Sequence, residues 1–160
     1  MKKITKCMLG ALMAGAMLTP VHAEEATTSI EYSKTSEYTL NIDSTVTVSS
    51  TTETEQAIKV SKVNTKSNEK VQIAIKTGVG NNGKVTLNRD DASGVTTEVT
   101  ASLDKNGAGI GANEVIAEFE DQSTTATKGG KLYYSKIPAD AAAGSYTGTI
   151  VYVGSVVARN

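Results

Sequence analysis

The feature that most constrains this chain is a short-range alternation of apolar and polar residues. In Val71-Gln72-Ile73-Ala74-Ile75-Lys76 three β-branched side chains occupy every second position. An extended segment of that pattern turns one face to a core and the other to water. The alternation recurs in Tyr38-Thr39-Leu40-Asn41-Ile42, with Tyr38, Leu40 and Ile42 sharing a face, and from Val95 through Thr97, Val99 and Ala101 to Leu103. Ser29-Ile30-Glu31-Tyr32, Thr45-Val46-Thr47-Val48, residues 57–63, residues 131–137 and Glu114-Val115-Ile116-Ala117-Glu118-Phe119 read the same way. Between these runs lie turn formers, among them Asn81-Asn82-Gly83 and the Gly-rich stretch 104–113. Lys84-Val85-Thr86-Leu87-Asn88 is expected to fold back on the 71–76 strand as a hairpin. Residues 121–130 read as a polar loop, and a single turn at 139–143 is the only helical feature expected.

Short strands spaced by roughly ten residues are the signature of an all-β protein, and the expected fold is an Ig-like antiparallel β-sandwich of about 8–10 strands. Near the C-terminus, Pro138-Ala139-Asp140-Ala141-Ala142-Ala143-Gly144-Ser145 runs into Tyr146-Thr147-Gly148-Thr149-Ile150-Val151-Tyr152-Val153, read as the closing strand. The spacing of Ala142, Gly144 and Tyr146 fits a tyrosine corner, in which the phenol turns back to the backbone of the loop before its strand.

The N-terminus carries an address. Lys2, Lys3 and Lys6 precede a short apolar run, residues 7–18, and Val21-His22-Ala23 places small residues where a signal peptidase cuts. Residues 1–23 are expected to be a cleaved signal peptide, with the cut between Ala23 and Glu24, and residues 24–160 a single β-sandwich domain. The apolar run is shorter than the roughly 20 residues that span a bilayer, so no membrane insertion of the mature chain is expected. The expected location is outside a bacterial cell, secreted or held at its surface.

Removing the leader takes Cys7, His22 and all four Met with it, and there is no Trp. A chain without Cys or His has no disulfide, no thiolate or imidazole zinc site and no Ser-His-Asp triad. A hydrophobic core alone must therefore hold it, and a chain of this length suffices for one domain. Thirteen Lys and Arg remain against 17 Asp and Glu, a formal charge of −4 that disfavours nucleic acid as a partner. Carboxylate-only glycoside chemistry stays open in principle through Glu98, Glu114, Glu118 and Glu120, although their alternation puts them on solvated faces. Asp104, Asn106 and Glu114 are weak calcium candidates, but the glycine is not at the sixth position of an EF-hand loop. No cofactor and no catalytic residue is expected. Of the adjacent Tyr133 and Tyr134, one must face outward.

Two resemblances follow from the motifs at the two ends. Tyr38-Thr39-Leu40-Asn41-Ile42-Asp43-Ser44-Thr45-Val46-Thr47-Val48 and Ala143-Gly144-Ser145-Tyr146-Thr147-Gly148-Thr149-Ile150 together resemble small secreted Ig-like β-sandwich surface proteins of Gram-positive bacteria, with Asp43 where those usually carry Pro. The late motif is also similar to the last strand of bacterial fimbrial subunits. The first resemblance implies a non-enzymatic structural or adhesive role through protein partners or self-assembly at the cell surface. The second implies a subunit that assembles by β-strand donation, with residues 27–42 as possible donor. Because the later strands read as numerous enough to close a sandwich, the self-contained form is the expectation.

Overall fold

A computed structural model describes residues 29–120 and 122–159. The expected signal peptide, the Ala23/Glu24 cleavage site and residues 24–28 lie outside them. The chain divides into two units, Met1–Ser33 and Lys34–Asn160. In the first, residues 29–33 form no strand, and Ile30 and Tyr32 are 93% and 86% exposed.

Among the described residues the second unit is all-β, with ten strands in two antiparallel sheets. The strands are β1 (Glu37–Ile42), β2 (Thr54–Asn64), β3 (Glu69–Thr77), β4 (Lys84–Arg89), β5 (Thr96–Ser102), β6 (Val115–Glu120), β7 (Ala126–Gly129), β8 (Lys131–Tyr134), β9 (Tyr146–Thr147) and β10 (Val151–Ala158). One sheet has the order β1-β2-β8-β5-β4-β9 and the other β10-β3-β6-β7. A 3₁₀ turn, Asn81–Gly83, is the only helical element among the described residues, and no described helix is long and apolar enough to cross a membrane.

Alternation translates directly into burial. Val71, Ile73 and Ile75 of β3 are fully buried, as are Val99 and Ala101 of β5. They meet Ile58 and Val60 of β2, Leu132 and Tyr134 of β8, and Phe119 of β6 in one core. In β6 both Ile116 and its neighbour Ala117 are buried, because the register against β3 slips between Ile73 and Ala74 and leaves Ile116 as the extra residue of a bulge.

Four expectations are corrected by the pairing. β4 does not fold back on β3; it pairs with β5 and β9, in the other sheet. Residues 126–129, expected in a loop, form the edge strand β7 beside β6. The expected closing strand is two strands: β9 lies beside β4, and after residues 148–150 the chain crosses to the other sheet as β10, beside β3. Residues 45–48 form no strand. At 139–143 there is a turn, closed by the Ala141 N–H donating to the Pro138 carbonyl at 3.1 Å.

The crossing depends on close backbone approach. A Cβ on Gly148 would lie 2.7 Å from Leu87 Cδ2 and 2.8 Å from the Thr86 carbonyl oxygen. Gly78, at φ +95°, faces the Thr149 carbonyl so closely that a Cβ would sit 2.0 Å from it. These two glycines let residues 148–150 lie against β4 and the end of β3 at once.

Candidate functional site

The two flanks of the sandwich are finished differently. On one, Gly130 accepts from the Ile58 N–H and donates to the Ile116 carbonyl, each at 3.0 Å, so backbone bonds stitch one sheet to the other. On the other flank β1 runs out at Ile42, and β10 is an edge strand with nothing hydrogen-bonded beyond it. Among the described residues, neither 44–48 nor 148–150 makes a backbone-to-backbone hydrogen bond. Residues 43–48 are held instead by side chains and by their far end. The Gln56 amide donates to the Asp43 carbonyl at 3.4 Å and the Thr54 hydroxyl to that of Thr47 at 3.3 Å, while the Ile137 N–H donates to Ser49 O at 3.0 Å.

Between these two walls runs a cleft of about 590 Å³. One wall is Asp43 to Val48, with Val46 and Val48 half-buried; the other runs from Tyr146 through Ile150 to Tyr152. The floor is Val85, Leu87 and Val99 of the six-stranded sheet. Tyr134, Gln56 and Tyr152 close one end of it as a polar trio. Both phenols donate to the Gln56 side-chain oxygen, Tyr134 at 2.6 Å and Tyr152 at 2.8 Å, and the two hydroxyls are 3.1 Å apart. Burial pushes the pKa of both phenols above the ordinary tyrosine range, so each stays a neutral donor.

Among the described residues, Asp43 is the only acidic one lining the cleft. The carboxylates considered for chemistry are bound elsewhere. Glu98 pairs with Lys84 at 2.8 Å and Glu120 with Arg159 at 3.1 Å. Glu118, expected on a solvated face, is instead largely buried. It takes Lys70 Nζ at 2.9 Å and the Gln72 amide at 2.8 Å, and its carboxyl is held below the usual carboxylate range, chiefly by the Lys70 hydrogen bond.

The calcium candidates each serve their own turn. The Asp104 carbonyl accepts from the Gly107 N–H and the Ser102 hydroxyl, the Asn106 N–H donates to both Glu53 carboxylate oxygens at 3.1 Å, and Glu114 accepts from the Gly111 N–H at 2.7 Å. No group of three or more acidic, His or Cys side chains converges among the described residues. The Tyr146 hydroxyl donates to the Ala142 carbonyl at 2.8 Å, back across the loop that carries Gly144. A Cβ on Gly144 would lie 2.5 Å from Arg89 Nε, and that guanidinium is clamped by Asp91. Of the tyrosine pair, Tyr134 is buried and Tyr133 is half-buried.

Sequence reasoning missed the trio. Gln56 sits where a polar loop gives way to a strand, and nothing local marks it for burial at 4% exposure. The walls themselves were visible as the two end motifs, but not the gap between them. No protein-family model, curated protein or solved structure matches the chain.

Proposed function

We propose that this chain is a secreted, non-enzymatic structural protein of the bacterial cell surface, an Ig-like sandwich that works through protein contacts. Its main contact is an extended strand accepted from a neighbouring copy. One observation carries the reading: an apolar-floored cleft lies beside the edge strand β10, between two stretches, residues 44–48 and 148–150, that make no backbone-to-backbone hydrogen bond among the described residues. Unpaired N–H and C=O groups along an edge are a template for another strand, because main-chain bonds give affinity and alternate side chains fill pockets. Ile30 and Tyr32, two apart and almost fully exposed, supply the alternation such a strand needs. Among the described residues a single acidic side chain lines the cleft, not the carboxylate pair of a glycoside hydrolase.

The test is electrophoresis without boiling of the exported protein and of a form lacking residues 24–33. The reading expects a ladder of SDS-resistant, heat-sensitive oligomers from the first and monomer from the second. A stable monomer in both, with identical melting, would leave the self-contained module instead.

A further inference from the structure

We infer that Gln56, Tyr134 and Tyr152 set the direction and register of the strand that enters the cleft. The strand runs antiparallel to residues 146–152, with a hydroxyl side chain on the trio and apolar side chains two and four positions later over Val85 and Leu87. The inference rests on the strand-accepting reading above and names its occupant: residues 28–32 of a second copy.

The cleft is chemically asymmetric. At the Asp43/Tyr152 end both phenols spend their protons on the Gln56 oxygen. Their lone pairs and the second N–H of the Gln56 amide, whose one bond is the 3.4 Å contact to Asp43, are left to face an occupant. An apolar side chain seated there would strip water from those groups and return nothing, whereas a threonine hydroxyl both donates and accepts. Toward the Tyr146 end the floor is Leu87, Val85 and Val99, where a hydroxyl finds no partner. A single polar position within an apolar seam is a known device for specifying register.

Thr28-Ser29-Ile30-Glu31-Tyr32 matches this order in one direction only. In an extended strand Thr28, Ile30 and Tyr32 fall on one face, and five such residues span ~17 Å, inside walls of six and seven residues, ~20 and ~23 Å by the same count. Inserted antiparallel, Thr28 meets the trio and the two apolar residues meet the floor. Reversed, Thr28 falls over the floor. Residues 44–48 and 148–150 make no backbone-to-backbone hydrogen bond among the described residues, so these parts of the walls can move apart for the strand without breaking a ladder.

Disulfide trapping in the full exported chain reads this out, since its sole native cysteine lies in the expected leader. Thr28→Cys is combined with either Ser44→Cys, at the trio end, or Thr147→Cys, at the far end. Assembled protein is oxidised with oxidised glutathione and run with and without reductant. The expected result is intermolecular cross-linking at least about tenfold greater with Ser44→Cys, a preference that Tyr152→Phe erases while the oligomer ladder persists. Equal trapping at both ends, a preference for Thr147→Cys, or a preference unchanged by Tyr152→Phe overturns the inference and leaves strand acceptance standing. Cross-links confined within one copy overturn the second copy as occupant. Absence of oligomers in the cysteine-free parent removes the strand-accepting reading itself, and this inference with it.

Discussion

The two flanks of this sandwich are built from the same kinds of residue and finished in opposite ways. On the flank of β6, β7 and β8, one residue of connection, Gly130, bonds to strands of both sheets, and Ile116 beside it is fully buried. Gly129 holds φ +62° there, and a Cβ on it would sit 2.1 Å from the Ile116 carbonyl. On the flank of residues 44–48 and 148–150, valines and an isoleucine also pack against the core, yet among the described residues no backbone ladder holds them and a cleft remains. Apolar pattern brings a segment to the core; hydrogen-bonded neighbours decide whether it stays fixed there.

The sharpest way to break this comparison is to make one chemical change on both flanks. Ile116→Ala should cost about 2–5 kcal/mol, because a fully buried side chain leaves a cavity that a stitched backbone cannot collapse. Ile150→Ala, at a half-buried wall of the cleft, should cost about 1 kcal/mol, since backbone held by no ladder at residues 148–150 can close over the loss. Urea unfolding of the two variants gives both values, and equal losses would mean the flanks do not differ in rigidity.

A second test compares ion pairs across strands. Lys70–Glu118 joins β3 to β6 with side chains 14% and 12% exposed, whereas Lys84–Glu98 joins β4 to β5 with 58% and 47% exposed. Glu118→Gln should cost about 2 kcal/mol, the scale of a hydrogen bond to a charged group, and Glu98→Gln under about 0.5 kcal/mol. The acid limb distinguishes them as well. The folded state lowers the Glu118 pKa, so its contribution is present above the ordinary glutamate value of about 4.3. It is lost as pH falls through the lower folded value. Stability measured down that limb should fall less in Glu118→Gln than in the parent, and parallel curves would refute the assignment.

How far the sequence could be read divides along the same line. Strands whose alternation is backed by burial on one face, such as residues 71–76 and 95–103, were legible because period two admits no other regular structure. β7 was not, because Ala126-Thr127-Lys128-Gly129 lies at a sheet edge with little to bury and so carries no apolar signal. The hairpin expected between residues 71–76 and 84–88 failed because a turn signal says that the chain reverses, not which sheet it rejoins. Residues 45–48 and 29–32 alternate as well as any strand, and neither is one. Alternation records what a segment could bury, not whether a partner is present. The trio could not be read at all, since it joins residues 78 and 96 positions apart.

A third test concerns the trio and sharpens the contrast most, because it asks whether the open flank is ordered at its buried end. Tyr134→Phe keeps the ring in the core and removes one of two donors to the Gln56 oxygen, which Tyr152 still satisfies. The loss should be about 1 kcal/mol at neutral pH, a single neutral hydrogen bond. Alkaline pH then separates a fixed network from a loose one. Both phenols have folded pKa values raised above the unfolded value of about 10, so their contribution is fully present below that pH. It is lost as pH rises toward the folded values. In an ultraviolet titration two of the six tyrosines should therefore ionise only as the protein unfolds, and one should in Tyr134→Phe. If Tyr134 and Tyr152 ionise near pH 10 while circular dichroism still reports the folded sheets, water already reaches the trio. The cleft would then be loose from end to end, with nothing at its floor rigid enough to choose a register.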